Sequence, residues 1–503
     1  MPGAVMAIDQ GTTGCTAMVL GHDGDVLGRA YAEINQHYPE PGWVEHDPEE
    51  IWSVSLEVMG QSLEAAGISG NALKAIGITN QRETTVIWDR ASGTPLHRAV
   101  VWQSRQSSDI CEQIRADGLE PLIRDRTGLV MDPYFSGSKA RWILDRYPDA
   151  RQKAAAGELL FGTIDSWLLF RLTGGKVHAT DPTNASRTLL FDIRAQRWDP
   201  ELLEIFGVPE AMLPEVRPSA GVFGLSVAQG GVPGGVPIAG IAGDQQAALY
   251  GQGCWHPGMS KNTYGTGCFV MVNTGGEPRT SGCGLLTTIC CDAHGQPAYA
   301  LEGSIFTTGA AIQWLRDELG LIGSAVETEE VAARVRDTQG VYVVPAFTGL
   351  GAPYWDMHAR GAIVGLTRGS GRDQIIRATL DSIAYQTRDV IEAMNCDACA
   401  PVTQLRTDGG ASANNHLMQF QADLLGIPVV RPKLLETTAA GAAFLAGLGS
   451  GFWRGPEELE NACQRDRTFT PEMDPAEREE LYAGWKRAVA QVSTITPEAL
   501  RDK

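Results

Sequence analysis

Three short turns rich in glycine and threonine carry residue types that suit phosphate chemistry. They lie at residues 11–13, 265–267 and 409–410, and each follows an apolar run typical of a strand. Free backbone N–H groups in such turns form a nest that binds anions. Hydroxyl donors come from Thr12, Thr13 and Thr266, while Asp9 offers a carboxylate oxygen suited to Mg²⁺. One such turn is ordinary hairpin punctuation, but three of them favour a phosphate site.

The standard nucleotide signatures are absent from the sequence. No G-x-x-x-x-G-K-[ST] occurs, and every G-x-G pair lacks the third glycine of the dinucleotide motif. His256 stands at that place after Gly251 and Gly253, and Tyr354 stands there after Gly349 and Gly351. The Gly/Thr turns are the phosphate-binding elements that remain, since their backbone N–H groups can form an anion-binding nest.

A second set of residues combines charges and amides with aromatic rings. Its members are Arg82, Glu83, Trp102, Tyr134, Asp244 and Gln245. Most follow an apolar strand-like run, which is where α/β folds build ligand sites. A small polyol needs paired donors and acceptors for its hydroxyls and flat apolar walls for its C–H faces. Taken one at a time, these residues have simpler explanations. Trp102 and Tyr134 are also consistent with packing in the core, and Arg82 with Glu83 is also consistent with an ion pair on the surface.

The strands and helices that would position these groups are predicted from the spacing of apolar residues and from the turn and capping residues between them. Residues 5–20 predict a hairpin around the first turn, and a further strand near 26–28 extends its sheet. Asp47, Pro48 and two glutamates predict a helix start, with the helix running to Met59. Residues 75–78 predict a buried strand that leads into Arg82.

A second half begins near residue 254 and echoes the first hairpin about 255 residues later. Its further elements are a strand at 341–345, a long amphipathic helix at 372–394, a strand at 405–410 and a small-residue helix at 439–448. The pattern indicates an α/β protein of two similar halves with a cleft between them.

Composition limits the classes of function. The 503 residues carry 60 acidic and 41 basic side chains, a net charge of −19, which disfavours nucleic acid and anionic membranes as partners. No signal peptide or membrane span is evident, and ten scattered cysteines are typical of a cytoplasmic protein. Glycine is unusually common, with 58 residues, which predicts many tight turns and close backbone approaches. One C-x-x-C pair, Cys396 and Cys399, reads most simply as reduced thiols in a loop.

Five motifs taken together resemble the glycerol-phosphorylating members of the FGGY carbohydrate kinase family. The motifs are DQGTT at 9–13, ITNQRETT at 78–85, GDQQ at 243–246, NTYGTG at 262–267 and DGG at 408–410. The similarity runs from residue 5 to about 490 and includes PGWVEHDP at 41–48 and PAFTGLGAPYW at 345–355. Motifs of this length are highly specific.

The resemblance implies an actin-like ATPase fold with two duplicated RNase H-like domains, expected at residues 1–253 and 254–503. It implies that the N-terminal domain carries most of the glycerol site and the C-terminal domain most of the nucleotide site. The implied reaction transfers the γ-phosphoryl group of Mg·ATP to the 3-hydroxyl of glycerol, giving sn-glycerol 3-phosphate. A homodimer or homotetramer is implied by family alone.

Residue roles also follow from the resemblance, motif by motif. Asp244 would be the general base, and Asp9 would serve Mg²⁺. Glycerol would be bound by Arg82, Glu83, Trp102, Tyr134, Asp244, Gln245 and Phe269. The nucleotide would be lined by Thr12, Thr13, Gly14, Thr266, Gly309, Gln313, Gly410 and Asn414.

The chain also departs from the family pattern. Gly14 and Thr16 stand where the family commonly has Ser and Arg, which removes a hydroxyl and a cation near the phosphates. Ala140 replaces a larger apolar residue. The loop at 230–235 has no cation for fructose bisphosphate, and residues 219–223 have no phosphorylatable His, so both controls are expected to be absent.

Two other functions remain open at this point. An FGGY kinase for another small polyol or ketose would keep most of the motifs. A nucleotide-switched binding or filament protein on the same fold would need no substrate base, and the set of Arg82, Glu83, Tyr134, Asp244 and Gln245 speaks against it.

Overall fold

The apolar runs beside the Gly/Thr turns form the central strands of two sheets in the computed structural model, which describes residues 3–397 and 401–494. The strands of the first half are β1 (Ala4–Gln10), β2 (Gly14–Leu20), β3 (Val26–Glu33), β4 (Glu45–His46), β5 (Leu73–Asn80), β6 (Thr85–Asp89), β7 (Ala99–Val100), β8 (Leu159–Thr163), β9 (Ala179–Thr180), β10 (Phe191–Asp192), β11 (Arg197–Trp198), β12 (Glu215–Val216), β13 (Ala220–Leu225) and β14 (Pro237–Gly243). Its helices are α1 (Pro48–Ala66), α2 (Ser108–Ala116), α3 (Glu120–Thr127), α4 (Ser136–Arg146), α5 (Ala150–Ala155), α6 (Ile164–Leu172), α7 (Pro182–Ala185), α8 (Pro200–Phe206) and α9 (Asp244–Gly251), with 3₁₀ turns at Gly70–Ala72 and Glu210–Met212.

The second half repeats this alternation. Its strands are β15 (Met259–Tyr264), β16 (Cys268–Gly275), β17 (Leu286–Cys291), β18 (Pro297–Ile305), β19 (Tyr342–Val344), β20 (Ala362–Val364), β21 (Gln404–Asp408), β22 (Val429–Pro432) and β23 (Arg465–Phe469). Its helices are α10 (Gly309–Asp317), α11 (Glu327–Arg334), α12 (Arg372–Asp397), α13 (Asn415–Leu425), α14 (Thr437–Ser450), α15 (Pro456–Ala462) and α16 (Pro475–Val492), with a 3₁₀ turn at Gly410–Ala413.

The two large sheets share a pattern of six strands, to which the second sheet adds β17. The first runs β13-β14-β5-β1-β2-β3, with β1, β5 and β14 parallel and β2 and β3 added antiparallel. The second runs β17-β18-β16-β15-β21-β22-β23, with β15, β21 and β22 parallel and β16 and β18 antiparallel. The echo between the hairpins is therefore a true duplication, and the predicted α/β class with two similar halves is confirmed.

The predicted elements are present, with some differences in their bounds. The Asp47 carboxylate caps α1 by accepting a hydrogen bond of 2.9 Å from the Glu49 backbone N–H. The helix continues past Met59 to Ala66 because Leu63 extends its buried face, and it ends at Gly67, whose φ is 64°. The strand near 26–28 likewise extends to Glu33.

Strand β1 is buried on both faces. Met6 and Ile8 belong to the apolar cluster on the α1 side, whereas Val5 and Ala7 belong to the cluster that α14 completes. The small-residue helix predicted at 439–448 thus packs on the sheet of the first half, although it lies far along the second half of the sequence.

The backbone of α14 approaches this sheet so closely that the sheet carries glycine beneath it. A Cβ atom on Gly77 would lie 2.2 Å from the Ala442 carbonyl oxygen, and one on Gly240 would lie 2.3 Å from the Ala446 nitrogen. Close approach of two backbones thus requires glycine at these positions, which explains part of the high glycine content, as predicted.

Two expectations concern membranes and thiols. Within residues 3–397 and 401–494, no helix combines the length and apolarity that a bilayer crossing requires. Of the C-x-x-C pair, Cys396 is exposed near the end of α12, and Cys399 lies outside the described residues.

We expect Gly77→Ala to lower the midpoint of thermal unfolding, because the new methyl group must displace α14 at an overpacking cost of about 1–3 kcal/mol. Gly60→Ala is the matched control. Gly60 lies inside α1, and a Cβ atom there would lie 3.9 Å from its nearest neighbour, so helix propensity makes that change neutral or stabilising. Equal midpoints for both variants in differential scanning calorimetry would contradict the close α14 contact.

Candidate functional site

The ends of three neighbouring strands bring the predicted polar residues to one edge of the first sheet. Gln10 at the end of β1 pairs with Asn80 at the end of β5, which in turn pairs with Gly243 at the end of β14. The segments that follow these strands carry the first Gly/Thr turn, Arg82 with Glu83, and Asp244. Because the parallel strands end together, the predicted residues of three distant motifs meet there.

Arg82 adopts a conformation that non-glycine residues rarely take. Its φ is 59°, and such a backbone costs of order 1–3 kcal/mol unless the surroundings impose it. Gly243 leaves space for the side chain, since a Cβ atom there would lie 2.7 Å from Arg82 Cγ. The turn thereby directs the guanidinium back over the strand ends.

The Arg82 guanidinium belongs to a set of four buried charges. Arg82 Nη1 donates to Glu302 Oε2 at 2.6 Å, and Arg187 Nη2 donates to Glu302 Oε1 at 3.0 Å. Arg187 Nε donates to Glu83 Oε1 at 2.7 Å. Each of the four side chains is at most 2% exposed, and two positive charges balance two negative ones. We call Arg82, Glu83, Arg187 and Glu302 the charge network.

The pKa of Glu302 shows the effect of this network. Burial alone would raise the pKa of its carboxyl, but Arg187 and Arg82 outweigh burial and lower the pKa to about 2. Glu302 is thus ionised at all physiological pH values, and its two oxygens hold the two arginines apart.

Asp244 lies beside the network and opens toward the cleft. Its Oδ1 atom lies 3.1 Å from Arg82 Nε and accepts a 2.7 Å hydrogen bond from the Gln245 backbone N–H. The side chain is 27% exposed, in contrast to the sealed network behind it. Burial raises the pKa of Asp244, while Arg82 opposes that shift. The arrangement gives an oriented carboxylate that a bound molecule can reach.

Aromatic rings form the walls around these charges. The Tyr134 hydroxyl accepts a 3.0 Å hydrogen bond from Arg82 Nη2, and its ring packs edge-on against Trp102 at 5.4 Å between centroids. The Arg82 guanidinium lies 5.6 Å from the Phe269 ring centroid. Trp102 Nε1 also donates to Thr12 Oγ1 at 2.8 Å, which joins this pocket to the first Gly/Thr turn.

Lys261 on β15 orients the predicted ligand residue Gln245. Its buried Nζ donates to Gln245 Oε1, to Thr263 Oγ1 at 2.9 Å and to the Phe269 carbonyl at 3.2 Å. Burial lowers the pKa of Lys261 to about 8, against the opposing effect of Asp408 and Asp244. The second half therefore supplies both Lys261 and Glu302 to a pocket built mainly by the first half.

The second Gly/Thr turn lies against the start of α10. Thr266 and Gly309 adjoin, since Gly309 N donates to the Gly265 carbonyl at 3.0 Å and Thr308 N to the Thr266 carbonyl at 3.0 Å. Gln313 is exposed one helical turn after Gly309.

The third turn follows β21, which pairs in parallel with β15. Gly410 is exposed there, with open space around its Cα. Asn414 caps α13, because its Oδ1 accepts a 3.0 Å hydrogen bond from Leu417 N, and its Nδ2 donates to Thr328 Oγ1 at 3.2 Å. Both turns of the second half thus border one edge of its sheet.

Asp9 in β1 has a carboxyl group whose surroundings disfavour ionisation. Among the hydrogen bonds of the described residues, none reaches this carboxylate from a donor group. Burial, Asp244 and Glu436 together raise the pKa of Asp9 to about 8, and Arg29 opposes them. A cluster of like charges with a free carboxylate is a donor set that a divalent cation stabilises.

The structure explains the unusual residues after the first turn. The ring of Tyr31 covers Gly14, where a Cβ atom would lie 2.6 Å from Tyr31 Cε2. Thr16 pairs across the sheet with Tyr31, and Met18 pairs with Arg29, so Arg29 and Tyr31 share the face that carries Asp9 and Thr16. Arg29 Nη2 lies 2.7 Å from Glu436 Oε1 at the start of α14.

No sequence pattern identified Glu302, Arg187 or Lys261 as part of the site. Glu302 offered one signal, as a lone charge within the apolar strand β18, and Lys261 directly precedes the NTYGTG motif. Arg187 gave no signal, because its role depends on contacts with Glu83 and Glu302 more than 100 residues away.

Comparison with known proteins places these features in context. Residues 4–251 match the N-terminal domain of the FGGY family of carbohydrate kinases, and residues 260–450 match the C-terminal domain of that family. A protein named glycerol kinase from Caldanaerobacter subterraneus subsp. tengcongensis is 59% identical over 486 residues, which cover 96% of this chain and 97% of that protein. A glycerol kinase from a Shewanella species is 58% identical over 97% of this chain and 98% of its own length.

Solved structures agree in fold. The crystal structure of Plasmodium falciparum glycerol kinase with ADP has a TM-score of 0.92 at 36% identity, covering 98% of this chain and 99% of that one. A gluconate kinase from Lactobacillus acidophilus has a TM-score of 0.86 at 21% identity, covering 97% of this chain and 99% of that one, a likeness of fold alone. The expected actin-like, two-domain fold is confirmed.

We expect Glu302→Gln to lower the unfolding midpoint at pH 7, because two buried arginines lose an ionised partner. The pKa of Glu302 falls on folding from 4.5 to about 2, so its stabilisation is complete above pH 4.5 and is lost as the pH falls toward 2. The gap between the unfolding midpoints of wild type and variant should therefore be constant from pH 7 to about pH 5 and narrow as the pH falls from 4.5 toward 2. A gap that is constant with pH, or as small as that of the exposed control Glu64→Gln, would contradict the network.

Proposed function

Because the chain belongs to the FGGY family of carbohydrate kinases, we propose that it phosphorylates glycerol with ATP, giving sn-glycerol 3-phosphate, with Asp244 as the general base. Its curated relatives at 57–59% identity over nearly their full length are glycerol kinases. The observation that supports the base is the Asp244 carboxylate, which Arg82 Nε holds at 3.1 Å at the open side of a sealed charge network.

Glycerol binding follows from the groups around Asp244. Arg82, Glu83 and Gln245 supply charged and amide partners for hydroxyl groups, while Trp102, Tyr134 and Phe269 supply flat apolar walls. Lys261 and Glu302 act behind them, since they orient Gln245 and Arg82. A three-carbon triol matches this alternation of polar partners and rings.

Asp244 would accept the proton of the attacking hydroxyl. A base within hydrogen-bond reach contributes about 10²–10⁴-fold to the rate. Burial raises the pKa of Asp244, which makes its carboxylate a better proton acceptor, and Arg82 keeps the group oriented. The remaining catalysis is positioning and charge stabilisation of the transferring phosphoryl group.

The nucleotide would lie between the corresponding turns of the two halves. Thr12, Thr13 and Gly14 would face it from the first half, and Thr266, Gly309, Gln313, Gly410 and Asn414 from the second. The backbone N–H groups and hydroxyls of Thr12, Thr13 and Thr266 suit the phosphates. The two halves would close over the cleft and exclude water, which otherwise competes with glycerol for ATP.

Mg²⁺ would be held at Asp9. Burial raises the pKa of Asp9, and the nearby carboxylates of Asp244 and Glu436 raise it further, so a bound divalent cation would stabilise the ionised carboxylate. When bound, the ion supplies charge neutralisation to the phosphate oxygens. Asp9 itself holds the ion at the end of β1, next to the first turn.

Arg29 would supply the positive charge that is missing at position 16, where this chain has threonine instead of the arginine common in the family. It projects from β3 on the face shared by Asp9 and Thr16, and Glu436 now holds it at 2.7 Å. A change of partner from Glu436 to phosphate would bring its charge to the nucleotide, and Tyr31 would offer a hydroxyl over Gly14.

We expect Asp244→Asn to lower kcat by about 10²–10⁴-fold, because the amide cannot accept the hydroxyl proton. The KM for glycerol should change only a few-fold, since the amide keeps the size and the hydrogen-bonding capacity of the group. Steady-state kinetics measure both constants, and the exposed Asp109→Asn serves as control. Near-normal turnover in Asp244→Asn would remove this residue from the mechanism.

We expect Arg29→Met to weaken ADP and ATP binding about tenfold or more, the worth of a hydrogen bond from a charged donor. Thr16→Arg added to that variant should restore affinity by returning a cation to the same face of the sheet. Calorimetric titration with ADP checks both variants, with Arg98→Met as the exposed control. Unchanged affinity in Arg29→Met would show that Arg29 serves only its pair with Glu436.

A further inference from the structure

Two thiols and a carboxylate meet far from the motifs of the cleft. Cys283 lies in the loop between β16 and β17, while Cys396 and Asp397 are the last two residues of α12. The Cys283 and Cys396 Sγ atoms are 2.8 Å apart, and the ligand atoms of all three residues lie within 4.8 Å of one another. The two segments are more than 100 residues apart in sequence, so the fold alone brings these groups together.

Asp397 is oriented by the loop that carries Cys283. Its Oδ2 accepts from Ser281 Oγ at 2.5 Å and from Cys283 N at 3.1 Å, and its Oδ1 accepts from Gly282 N at 3.1 Å. Outer hydrogen bonds of this kind fix the direction of ligating carboxylates in metal sites. The carboxylate and the Cys283 thiol are therefore held in one relative geometry.

We propose that Cys283, Cys396 and Asp397 form a binding site for a thiophilic divalent cation of the zinc class. Zn²⁺ takes sulfur at about 2.3 Å and carboxylate oxygen at about 2.0–2.2 Å, so its ligand atoms lie within about 4.6 Å of one another. The thiols would move apart by about 1 Å to reach the separation of about 3.8 Å in a tetrahedral site. Binding releases the two thiol protons to solvent, and the partial exposure of the site leaves the fourth position to water.

The position at the end of α12 also favours a cation. The C-terminus of a helix carries partial negative charge, and α12 spans 26 residues. A disulfide between the same thiols would need an oxidant that removes two electrons. It would also leave the orientation of the Asp397 carboxylate unexplained. The three-residue geometry thus favours metal over oxidation.

The ion would tie α12 to the junction between the halves. Arg124 on α3 donates to the Ser281 carbonyl at 3.1 Å, and Arg194 donates to Thr280 Oγ1 at 3.2 Å. The loop that carries Cys283 therefore contacts the first half, so bound metal should raise the unfolding midpoint of the whole chain.

Calorimetric titration of the reduced, metal-free chain with Zn²⁺ tests the site. All chains carry Cys399→Ser, so that only the three described groups are measured. We expect one Zn²⁺ per chain, at least a tenfold loss of affinity in Cys283→Ser, Cys396→Ser and Asp397→Asn, and wild-type affinity in the control Cys463→Ser. Zn²⁺ should raise the unfolding midpoint only where the three ligands are intact.

Measurements of kinase activity distinguish the proposed metal site from the proposed active site in the cleft. The serine variants should keep turnover within about twofold of wild type, whatever the outcome for the proposed base. Zn²⁺ binding equal in the parent and in the Cys283→Ser/Cys396→Ser chain would overturn the proposal. If peroxide treatment removes two free thiols and the chain binds no Zn²⁺, the proposal is also overturned. Cys283 and Cys396 would then form a disulfide.

Discussion

The buried charge network is the interaction on which the arrangement of the cleft depends. Arg82 has a strained backbone and would not hold its direction alone, but Glu302 and Tyr134 fix both ends of its guanidinium. Arg187 links Glu302 to Glu83, so that two positive and two negative charges are paired out of water. Loss of one member would leave an uncompensated buried charge, which is strongly destabilising. Since Glu302 comes from β18, the pocket is complete only when the two halves are packed together.

Contacts with this network fix the positions of Asp244 and of the first Gly/Thr turn. Arg82 orients Asp244, and Tyr134 carries the order through Trp102 to Thr12 in the first Gly/Thr turn. The same turn follows Asp9, whose pKa is raised by burial and by the nearby carboxylates of Asp244 and Glu436. A kinase needs little covalent help from its protein, so a chain of fixed contacts from acceptor pocket to phosphate site is the main requirement.

Much of this fold follows from local signals in the sequence. The two hairpins with Gly/Thr turns predicted the duplication, and strand ends predicted where Arg82 and Asp244 meet. The small-residue helix α14 was predicted, but not its place on the first sheet, because the matching glycines Gly77 and Gly240 reveal no partner by themselves. Arg187 and Glu302 escaped prediction for a related reason: a buried ion pair joins residues that no period or spacing connects. The covering of Gly14 by Tyr31 likewise became visible only across paired strands.

The pocket around Asp244 is proposed to direct the γ-phosphoryl group of ATP to glycerol. Release of ADP, measured in a coupled assay with glycerol, with xylulose, with gluconate and with no acceptor, tests that claim most directly. We expect rapid release that depends on glycerol, because the charge network, the rings and Asp244 are proposed to bind and activate this small triol. Equal release without an acceptor would indicate a nucleotide switch that needs no substrate base. Faster release with xylulose or gluconate would show that the pocket is shaped for a different sugar or acid.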